Sequence, residues 1–360
     1  MTRPATAARA ARRTSGPRAR RSMAAVALSA AAALALSGCV AGEDAAADGA
    51  DEAGATSASG SWSADTLSVD FATYNPLSLI VKDQGFLEDE LGDDVEVTWT
   101  QSAGSNKANE LLRAGAVDVG STAGSAALLA RSNGSPIKTI VIYSQPEWSA
   151  LVVPGGSTIT DVEQLKGKTV AATKGTDPYF FLLQSLDEAG LSASDVTVQN
   201  LQHADGRAAL ENGSVDAWAG LDPIMAASEA ESGTELLYRN VDFNTYGFLN
   251  ATEEFLETSP DLAQAVVDAY EQARAWAEEN PDETAAILAE VAGIDQTVAT
   301  TVLERTHFDV SPVPGDDQRA VLERVAPILV ESGDVTSEGA VDDALDSLFE
   351  PSFAEQASGS

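Results

Sequence analysis

The segments LRAGAVDVG (residues 112–120) and LENGSVDAW (residues 210–218) share the pattern Leu-x-x-Gly-x-Val-Asp at an offset of 98 residues. In each segment the pattern predicts the end of a helix, a glycine (Gly115 or Gly213) that can adopt the left-handed conformation after the last turn, and a short strand. A helix start follows each strand, near Ala123 in the first case and at Pro223 in the second. The recurrence predicts two similar α/β lobes, with chance recurrence of a common αβ turn as the alternative.

Alternating strands and helices extend outward from both segments. Apolar patterning predicts a first series of strands at 67–71, 95–99, 117–119, 139–143 and 150–153, with Asn75 and Pro76 starting the first helix. A second series has strands at 169–173, 196–200 and 215–218 and helices at 178–189, 205–211 and 223–231, and the chain after residue 252 is almost entirely helical. Ligands of open α/β sheets bind where strands end and helices begin, so two facing lobes of this kind predict a cleft.

Charge is distributed unevenly along the chain. The 360 residues include 21 Lys+Arg and 56 Asp+Glu, which gives a formal net charge of −35. Residues 1–38 contain seven Arg and no acidic residue, which leaves −42 on residues 39–360. A body this acidic repels phosphate backbones, so no nucleic-acid partner is expected. The single cysteine excludes an internal disulfide, and two histidines disfavour a multi-His metal site, so no metal or other cofactor is expected.

The first forty residues are typical of an export signal. The Arg-rich start precedes an apolar run over residues 23–36, which is shorter than the ~20 residues that span a bilayer. Cys39 directly follows Leu36-Ser37-Gly38, as in a bacterial lipobox, whereas an ordinary signal peptide with a chance cysteine is the alternative. Arg20 and Arg21 match twin-arginine signals weakly, so both export routes stay open. We therefore expect a signal peptide at 1–38, lipidation at Cys39, a flexible acidic tether at 39–63, and anchoring at the outer face of the cytoplasmic membrane.

Residue types that suit ligand binding recur at the junctions between strands and helices. They offer hydroxyls, backbone donors, a lysine and aromatic walls, which fits a small ligand with one anionic, oxygen-rich end and a modest apolar body. The predicted ligand contacts are Tyr74, Asn75, Ser102, Gly104, Ser121, Thr122, Gln145, Trp148, Lys174, Thr176, Asp177, Tyr179, Asp205, Trp218 and Asp222. No Gly-x-Ser-x-Gly elbow, Walker loop or His-Glu-x-x-His motif occurs. No catalytic residue is assigned, and an enzyme would have to use His203 or an Asp/Glu pair.

Several segments together resemble a known family. YNPLSL (74–79), GAVDVGST (115–122), ATKGTDPYFF (172–181), LQHADGRAA (201–209) and VDAWAGLDP (215–223) are similar to the aliphatic-sulfonate substrate-binding proteins of ABC importers, within the nitrate/sulfonate/taurine family. The resemblance covers roughly residues 65–350. It implies an α/β type II periplasmic-binding-protein fold, with two lobes joined by two crossover strands and a helical C-terminal region packed on lobe 1. Lobe 1 would comprise 64–152 and 248–350, lobe 2 would comprise 153–247, the crossovers would lie at 150–153 and 246–250, and 351–360 would form a tail.

The resemblance also implies a site and a function. It places Ser102, Gly104, Ser121, Thr122, Lys174, Thr176 and Asp205 near the ligand, with Tyr179 and Trp218 as walls. Two acids depart from a simple anion site: Asp177 and Glu147 would repel a bare anion, pair with Lys174 or Arg207, or bind the amine of an aminosulfonate. The implied function is that of a monomeric binding component, not an enzyme, that delivers an alkanesulfonate or taurine to an ABC permease and its ATPase subunits. Nitrate, bicarbonate or a thiamine-precursor pyrimidine is the alternative ligand, and a same-fold enzyme or an adhesion or sensory module is the alternative function.

Overall fold

The computed structural model describes residues 62–358. The predicted signal segment, Cys39 and the acidic tether up to residue 61 lie outside the described residues. At the start of the described part, Trp62 packs against the first hydrophobic core, and the backbone N–H of Ser63 donates to the Asp261 carboxylate at 2.8 Å. These two residues, which were expected at the end of the tether, therefore contact the folded body.

The first lobe contains a six-stranded sheet made from two separate parts of the chain. Its first part comprises β1 (Thr66–Phe71), α1 (Pro76–Gln84), α2 (Phe86–Leu91), β2 (Glu96–Gln101), α3 (Ser105–Arg113), β3 (Val119–Ala123), α4 (Gly124–Ser132) and β4 (Ile137–Pro146). Its second part comprises β10 (Gly247–Thr252), α8 (Glu253–Thr258), α9 (Pro260–Glu279), α10 (Pro281–Ala292), α11 (Gln296–Glu304), β11 (Thr306–His307), α12 (Asp316–Glu331), α13 (Glu338–Ser347) and α14 (Ser352–Ser358). The strand order is β11-β4-β10-β3-β1-β2.

The second lobe contains a five-stranded sheet. It comprises β5 (Ser149–Val153), β6 (Thr169–Ala172), α5 (Asp177–Glu188), β7 (Thr197–Asn200), α6 (His203–Glu211), β8 (Ala217–Leu221), α7 (Ile224–Ser232) and β9 (Glu235–Tyr238). The strand order is β7-β6-β8-β5-β9, in which β6 pairs in parallel with β7 and β8, and β5 runs antiparallel to β8 and β9. The predicted α/β fold with two lobes and a helical C-terminal region is confirmed.

The repeated sequence has the same structural role in both lobes. Gly115 (φ 62°) and Gly213 (φ 74°) end α3 and α6 in the left-handed conformation, which explains the glycine in the pattern. The shared aspartate then holds the neighbouring strand. Asp118 accepts the backbone N–H of Ser68 at 2.8 Å, and Asp216 accepts the backbone N–H of Thr169 at 2.9 Å. Each lobe thus uses its Gly-x-Val-Asp segment to connect a helix to the central strands of its sheet.

The chain passes between the two sheets at residues 147–148 and again at residues 239–246. The segments expected as crossovers lie within the sheets themselves. Residues 150–153 belong to β5, which pairs only with second-lobe strands, and 247–250 belong to β10, which pairs with β3 and β4. The second sheet therefore starts a few residues before the predicted boundary at 153. The physical reason is that these apolar stretches are buried as strands. The chain therefore crosses between the sheets in the more polar residues beside them.

The C-terminal helices bridge the lobes as well as covering the first sheet. Helix α9 packs on α1 and α2, whereas α11 packs on α7 of the second lobe, and α12 contacts both α4 and α5. Arg305, just after α11, donates to the carboxylates of Asp222 (3.3 Å) and Glu229 (2.9 Å) in the second lobe. One cluster of buried apolar side chains also contains Leu128 and Phe248 of the first lobe together with Phe180 and Phe181 of the second lobe. The lobes are consequently in direct contact in this conformation.

Within residues 62–358, no single helix is both long and apolar enough to cross a membrane. The pair α10 and α11 satisfies length and composition together but bends by 114° between its two members.

Candidate functional site

The helix starts of both lobes meet at the boundary between the two sheets. Helices α3 and α4 follow β2 and β3 of the first lobe, and α5 and α6 follow β6 and β7 of the second. The first-turn N–H groups of a helix have no partner inside that helix, so this boundary offers backbone donors from both sides. Most of the predicted ligand contacts lie on these junctions. Six of the fifteen predicted contacts fall into three groups of residues.

The first group surrounds a buried carboxylate in the first lobe. Asp70 accepts the Ser102 hydroxyl at 2.7 Å, and it accepts both the backbone N–H and the hydroxyl of Ser121 at 2.8 Å. The hydroxyl of Tyr74 donates to the Ser121 carbonyl at 2.8 Å and lies 3.0 Å from the Ser102 hydroxyl. Burial raises the pKa of Asp70 to about 6, although these hydrogen bonds oppose the rise. Three predicted ligand contacts, Tyr74, Ser102 and Ser121, are therefore bonded to one another around a residue that the sequence patterns did not single out.

The second group surrounds Asp177, the first residue of α5. Its carboxylate accepts the hydroxyls of Ser125 (2.6 Å) and Thr245 (2.7 Å), the indole N–H of Trp148 (2.7 Å) and the backbone N–H of Thr245 (2.8 Å). Asp177 is only 1% exposed, and burial raises its pKa. Each carboxylate oxygen already has two donors, so Asp177 has no free lone pair for a ligand amine. We call Asp177, Ser125, Trp148 and Thr245 the Asp177 cluster.

The third group is a close contact between the lobes, where Gly104 of the first lobe faces His203 of the second. A β-carbon on Gly104 would lie 2.9 Å from His203 Nε2 and 3.0 Å from Asn106 Oδ1. Neither of these buried atoms has a hydrogen-bond partner among residues 62–358, and the same holds for Gln202 Oε1. Gly104, Asn106 and His203, which we call the boundary contact, therefore concentrate unused polar groups at the place where α3 and α6 begin.

The tautomer of His203 follows from its other ring nitrogen. Nδ1 lies 3.2 Å from the Thr173 hydroxyl, and that hydroxyl donates its single hydrogen to the Leu201 carbonyl at 2.6 Å. Nδ1 is therefore the protonated nitrogen, and Nε2 presents a lone pair toward the first lobe. Burial lowers the pKa of His203 to about 4, so the ring is neutral near pH 7 in this conformation.

The remaining predicted contacts have other partners. Asn75 caps α1 through Ser78 and donates to the Tyr270 hydroxyl at 3.1 Å, and Thr122 accepts from Asn250 at 2.8 Å. Gln145 pairs with His307 at a sheet edge, the Thr176 hydroxyl donates to the Thr173 carbonyl, and Asp205 is exposed on α6. Trp218, expected as a wall, is fully buried between β8 and α6, where a β-carbon on Gly206 would lie 2.7 Å from its Nε1. Asp222 pairs with Arg305, and Glu147 pairs with Arg239 rather than with Lys174 or Arg207.

Lys174 and Tyr179 lie outside the three groups. They border an open groove of about 860 Å³ between α5 and α12, and Lys174 Nζ lies 5.3 Å from the centre of the Tyr179 ring. No group of three or more His, Cys, Asp or Glu side chains within the described range could hold a metal ion. Besides His203, four residues of these groups were not among the predicted ligand contacts: Asp70, Asn106, Ser125 and Thr245. The sequence gives one signal for Asp70, because it is the single charged residue of the strand Thr66–Phe71.

Comparison with known proteins supports this architecture. Residues 77–284 match the family described as NMT1/THI5 like. Two relatives are described as aliphatic sulfonates-binding proteins. The one from Escherichia coli (strain K12) is 28% identical over 240 residues, which cover 66% of this chain and 75% of the relative. The one from Bacillus subtilis (strain 168) is 29% identical over 281 residues, which cover 77% of this chain and 84% of the relative.

Solved structures share the fold. The alkanesulfonate-binding protein SsuA from Xanthomonas axonopodis pv. citri, bound to MOPS, is similar with a TM-score of 0.71 and 24% identity, covering 78% of this chain and 98% of that chain. The desulfurization enzyme DSZB is similar with a TM-score of 0.61 and 17% identity, covering 82% and 99%. The fold is thus one on which both binding proteins and an enzyme are built. The family match over residues 77–284 goes further than fold, and it shows that the chain belongs to the NMT1/THI5-like family.

Proposed function

We propose that this protein is the extracytoplasmic substrate-binding component of an ABC importer and that it captures a small sulfonate between its lobes. The observation that carries the proposal is the boundary contact. There, helix starts from both lobes meet, and buried polar atoms lack partners among the described residues. Asn106 Oδ1, Gln202 Oε1 and His203 Nε2 are acceptors, so they fit the amine of an aminosulfonate such as taurine, whereas the first-turn N–H groups of α3 and α6 fit the sulfonate oxygens. Unused buried polar groups are costly, and a ligand that bonds in this way to both lobes would offset that cost and favour the closed arrangement.

The sulfonate head would be held mainly by backbone dipoles. The starts of α3 and α6 point first-turn N–H groups and the positive ends of their helix dipoles toward the boundary. The nearest predicted cation, Lys174, is exposed and lies against Tyr179 rather than at the boundary contact. Among the predicted contacts, Gly104 and Asp205 lie on the strand-to-helix junctions that border this space, and their backbone N–H groups stay proposed ligand contacts. Ser102 and Thr176 border the same space, but their hydroxyls already donate to Asp70 and to the Thr173 carbonyl.

The choice of a sulfonate rests on the relatives. Two of them are described as aliphatic sulfonates-binding proteins, and a structural neighbour is an alkanesulfonate-binding protein. A catalytic role is not proposed, because these relatives are described as binding proteins and His203 has a hydroxyl at Nδ1 instead of an orienting carboxylate. The proposal extends to export, lipid attachment at Cys39 and delivery of the ligand to a membrane permease, in agreement with the N-terminal sequence.

A panel of ligands tests the proposal on the purified full-length protein. Calorimetric titration and thermal unfolding would compare propane-1-sulfonate, taurine, nitrate, bicarbonate and a hydroxymethylpyrimidine. A sulfonate at 100 times its Kd should raise the free energy of unfolding by about 2.7 kcal/mol. Asn106→Ala should weaken this binding, whereas Asp316→Ala, at an exposed position at the start of α12, should leave it unchanged. Stabilisation by another class of ligand with no response to any sulfonate would contradict the assignment.

A further inference from the structure

The Asp177 cluster joins three parts of the molecule through one side chain. Asp177 begins α5 in the second lobe, and Ser125 lies in the first turn of α4 in the first lobe. Trp148 lies on the first crossing between the sheets, and Thr245 lies on the second. The buried carboxylate of Asp177 therefore belongs to the second lobe and contacts the first lobe directly through Ser125. It also contacts both crossings, through Trp148 and Thr245.

We propose that Asp177 is a positioning residue for ligand capture, which holds the two lobes and both crossings in the closed arrangement without touching the ligand. The proposal deepens the binding function proposed above and rests on it for its affinity readout. Four donors at 2.6–2.8 Å fill the lone pairs of the carboxylate, so the side chain has no remaining acceptor for a ligand. Instead, the Asp177 side chain fixes the angle between α5 and α4.

The charge of Asp177 is compatible with this position. The carboxylate lies at the start of α5, where the helix dipole favours a negative group, and charge-assisted hydrogen bonds are stronger than neutral ones. No basic side chain bonds to it among residues 62–358, so the four donors alone compensate the buried group. Separation of the lobes would remove at least the Ser125 bond and expose the carboxylate to water.

The geometry distinguishes charge from hydrogen bonding. In Asp177→Asn, the amide oxygen can face the two N–H donors of Trp148 and Thr245, and the amide NH₂ can donate to the hydroxyls of Ser125 and Thr245, because hydroxyls accept as well as donate. The asparagine variant should therefore keep the cluster. Asp177→Ala removes all four bonds and leaves buried donors unpaired, and Ser125→Ala removes only the direct bond between the lobes.

A matched control exists in the same lobe. Asp216 also accepts a backbone N–H, from Thr169 at 2.9 Å, but its contacts stay within the second lobe. Asp216→Ala should lower stability without changing the relation between the lobes. Loss of affinity in the Asp177 variants alone would thus separate positioning of the lobes from general destabilisation.

The experiment uses the full-length protein with two measurements. The first is hydrogen exchange at the Thr245 amide without ligand, together with tryptophan fluorescence, and the second is propane-1-sulfonate affinity by calorimetry. We expect Asp177→Ala to speed exchange at Thr245 and weaken affinity at least tenfold, Ser125→Ala to weaken it several-fold, and Asp177→Asn and Asp216→Ala to stay within threefold of the wild type. If a variant populates the closed arrangement less often, its apparent affinity falls in proportion to that population.

Two outcomes would overturn the proposal. One is wild-type affinity in both Asp177→Ala and Ser125→Ala, and the other is an equal loss in Asp216→Ala. If Asp177→Ala fails to fold, Ser125→Ala decides the question. If the wild-type protein binds no sulfonate, the proposed ligand is wrong. The ligand-free variants then test the positioning role, and an unchanged rate of hydrogen exchange at Thr245 in these variants would overturn it.

Discussion

Replacement of Gly104 by alanine should prevent the lobes from closing fully. The added β-carbon would lie 2.9 Å from His203 Nε2, 3.0 Å from Asn106 Oδ1 and 3.1 Å from His203 Cδ2. Real β-carbon contacts are essentially never shorter than 3.0 Å, so the two lobes must move apart or the histidine must move. His203 is 1% exposed and bonded to Thr173, so its ring cannot simply turn away.

The size of the effect follows from the cost of overpacking. An extra methyl group in a tightly packed place costs about 1–3 kcal/mol. Because separation of the lobes relieves the contact with His203, that part of the cost should appear in ligand affinity. The contact with Asn106 Oδ1 and the φ of 158° at Gly104 belong to the first lobe alone, so their cost should appear in the free energy of unfolding. Calorimetric titration with a sulfonate should therefore show Gly104→Ala binding more weakly, by up to about 150-fold, since each 1.4 kcal/mol is a factor of ten.

Two companion variants make the result interpretable. Gly339→Ala adds a methyl group in open space within α13, so it should leave affinity unchanged and, because alanine favours the helix, raise the free energy of unfolding by up to about 1 kcal/mol. The double variant Gly104→Ala with His203→Ala removes the contact with His203 but not the one with Asn106 Oδ1, so Gly104→Ala should cost less affinity in the His203→Ala background than in the wild type. Wild-type affinity in Gly104→Ala, or a double variant that stays weaker than His203→Ala by the full amount, would refute the steric explanation.

Three further variants test the buried groups by urea unfolding. Burial lowers the pKa of His203 to about 4 from 6.5, so its contribution should be complete above pH 6.5 and fall by about 3 kcal/mol toward pH 4; His203→Asn should lack this fall. Burial raises the pKa of Asp70 from 3.8 to about 6, so the opposite holds: about 3 kcal/mol should be lost as pH rises from 3.8 through 6, and Asp70→Asn should not show that loss. Gly247→Ala would drive its β-carbon into the Tyr143 ring and should lose about 3 kcal/mol or more, whereas Gly315→Ala, in open space at the N-cap of α12, should lose at most about 1 kcal/mol.

The lobed architecture could be predicted because the repeat encodes local geometry. Gly115 and Gly213 end helices through their own backbone conformation, and Asp118 and Asp216 bond to the strand alongside. Such features depend on a few neighbouring residues, and sequence spacing alone reveals them. The crossings were harder to place, because an apolar stretch such as 150–153 predicts a buried strand but does not say which sheet it joins.

The candidate site was predicted in part. Sequence patterns indicated polar residues at the strand-to-helix junctions. There, Tyr74 lies beside the hydroxyl that Ser102 donates to Asp70, and Asp177 accepts from Trp148 on the first crossing, whereas contact of these residues with a ligand stays a prediction. Their partners could not be predicted, because a serine at a helix start has the same local signal whether it binds a ligand or a buried carboxylate. Only the three-dimensional contacts show that the hydroxyls of Ser102 and Ser121 already donate to Asp70 and that the hydroxyl of Ser125 donates to Asp177.

This arrangement also bears on how so acidic a protein would accept an anion. The two buried carboxylates beside the boundary have seven hydrogen-bond donors between them, three on Asp70 and four on Asp177. Those donors spread the negative charge and leave the first-turn N–H groups of α3 and α6 for the ligand. His203 Nε2, like Asn106 Oδ1 and Gln202 Oε1, is an unpaired acceptor at the same boundary, and of the three it is the one that can take up a proton. A sulfonate bound there would favour protonation of that nitrogen, so sulfonate affinity should rise as pH falls below 7, and calorimetry in buffers of different ionisation enthalpy should detect proton uptake that disappears in His203→Asn.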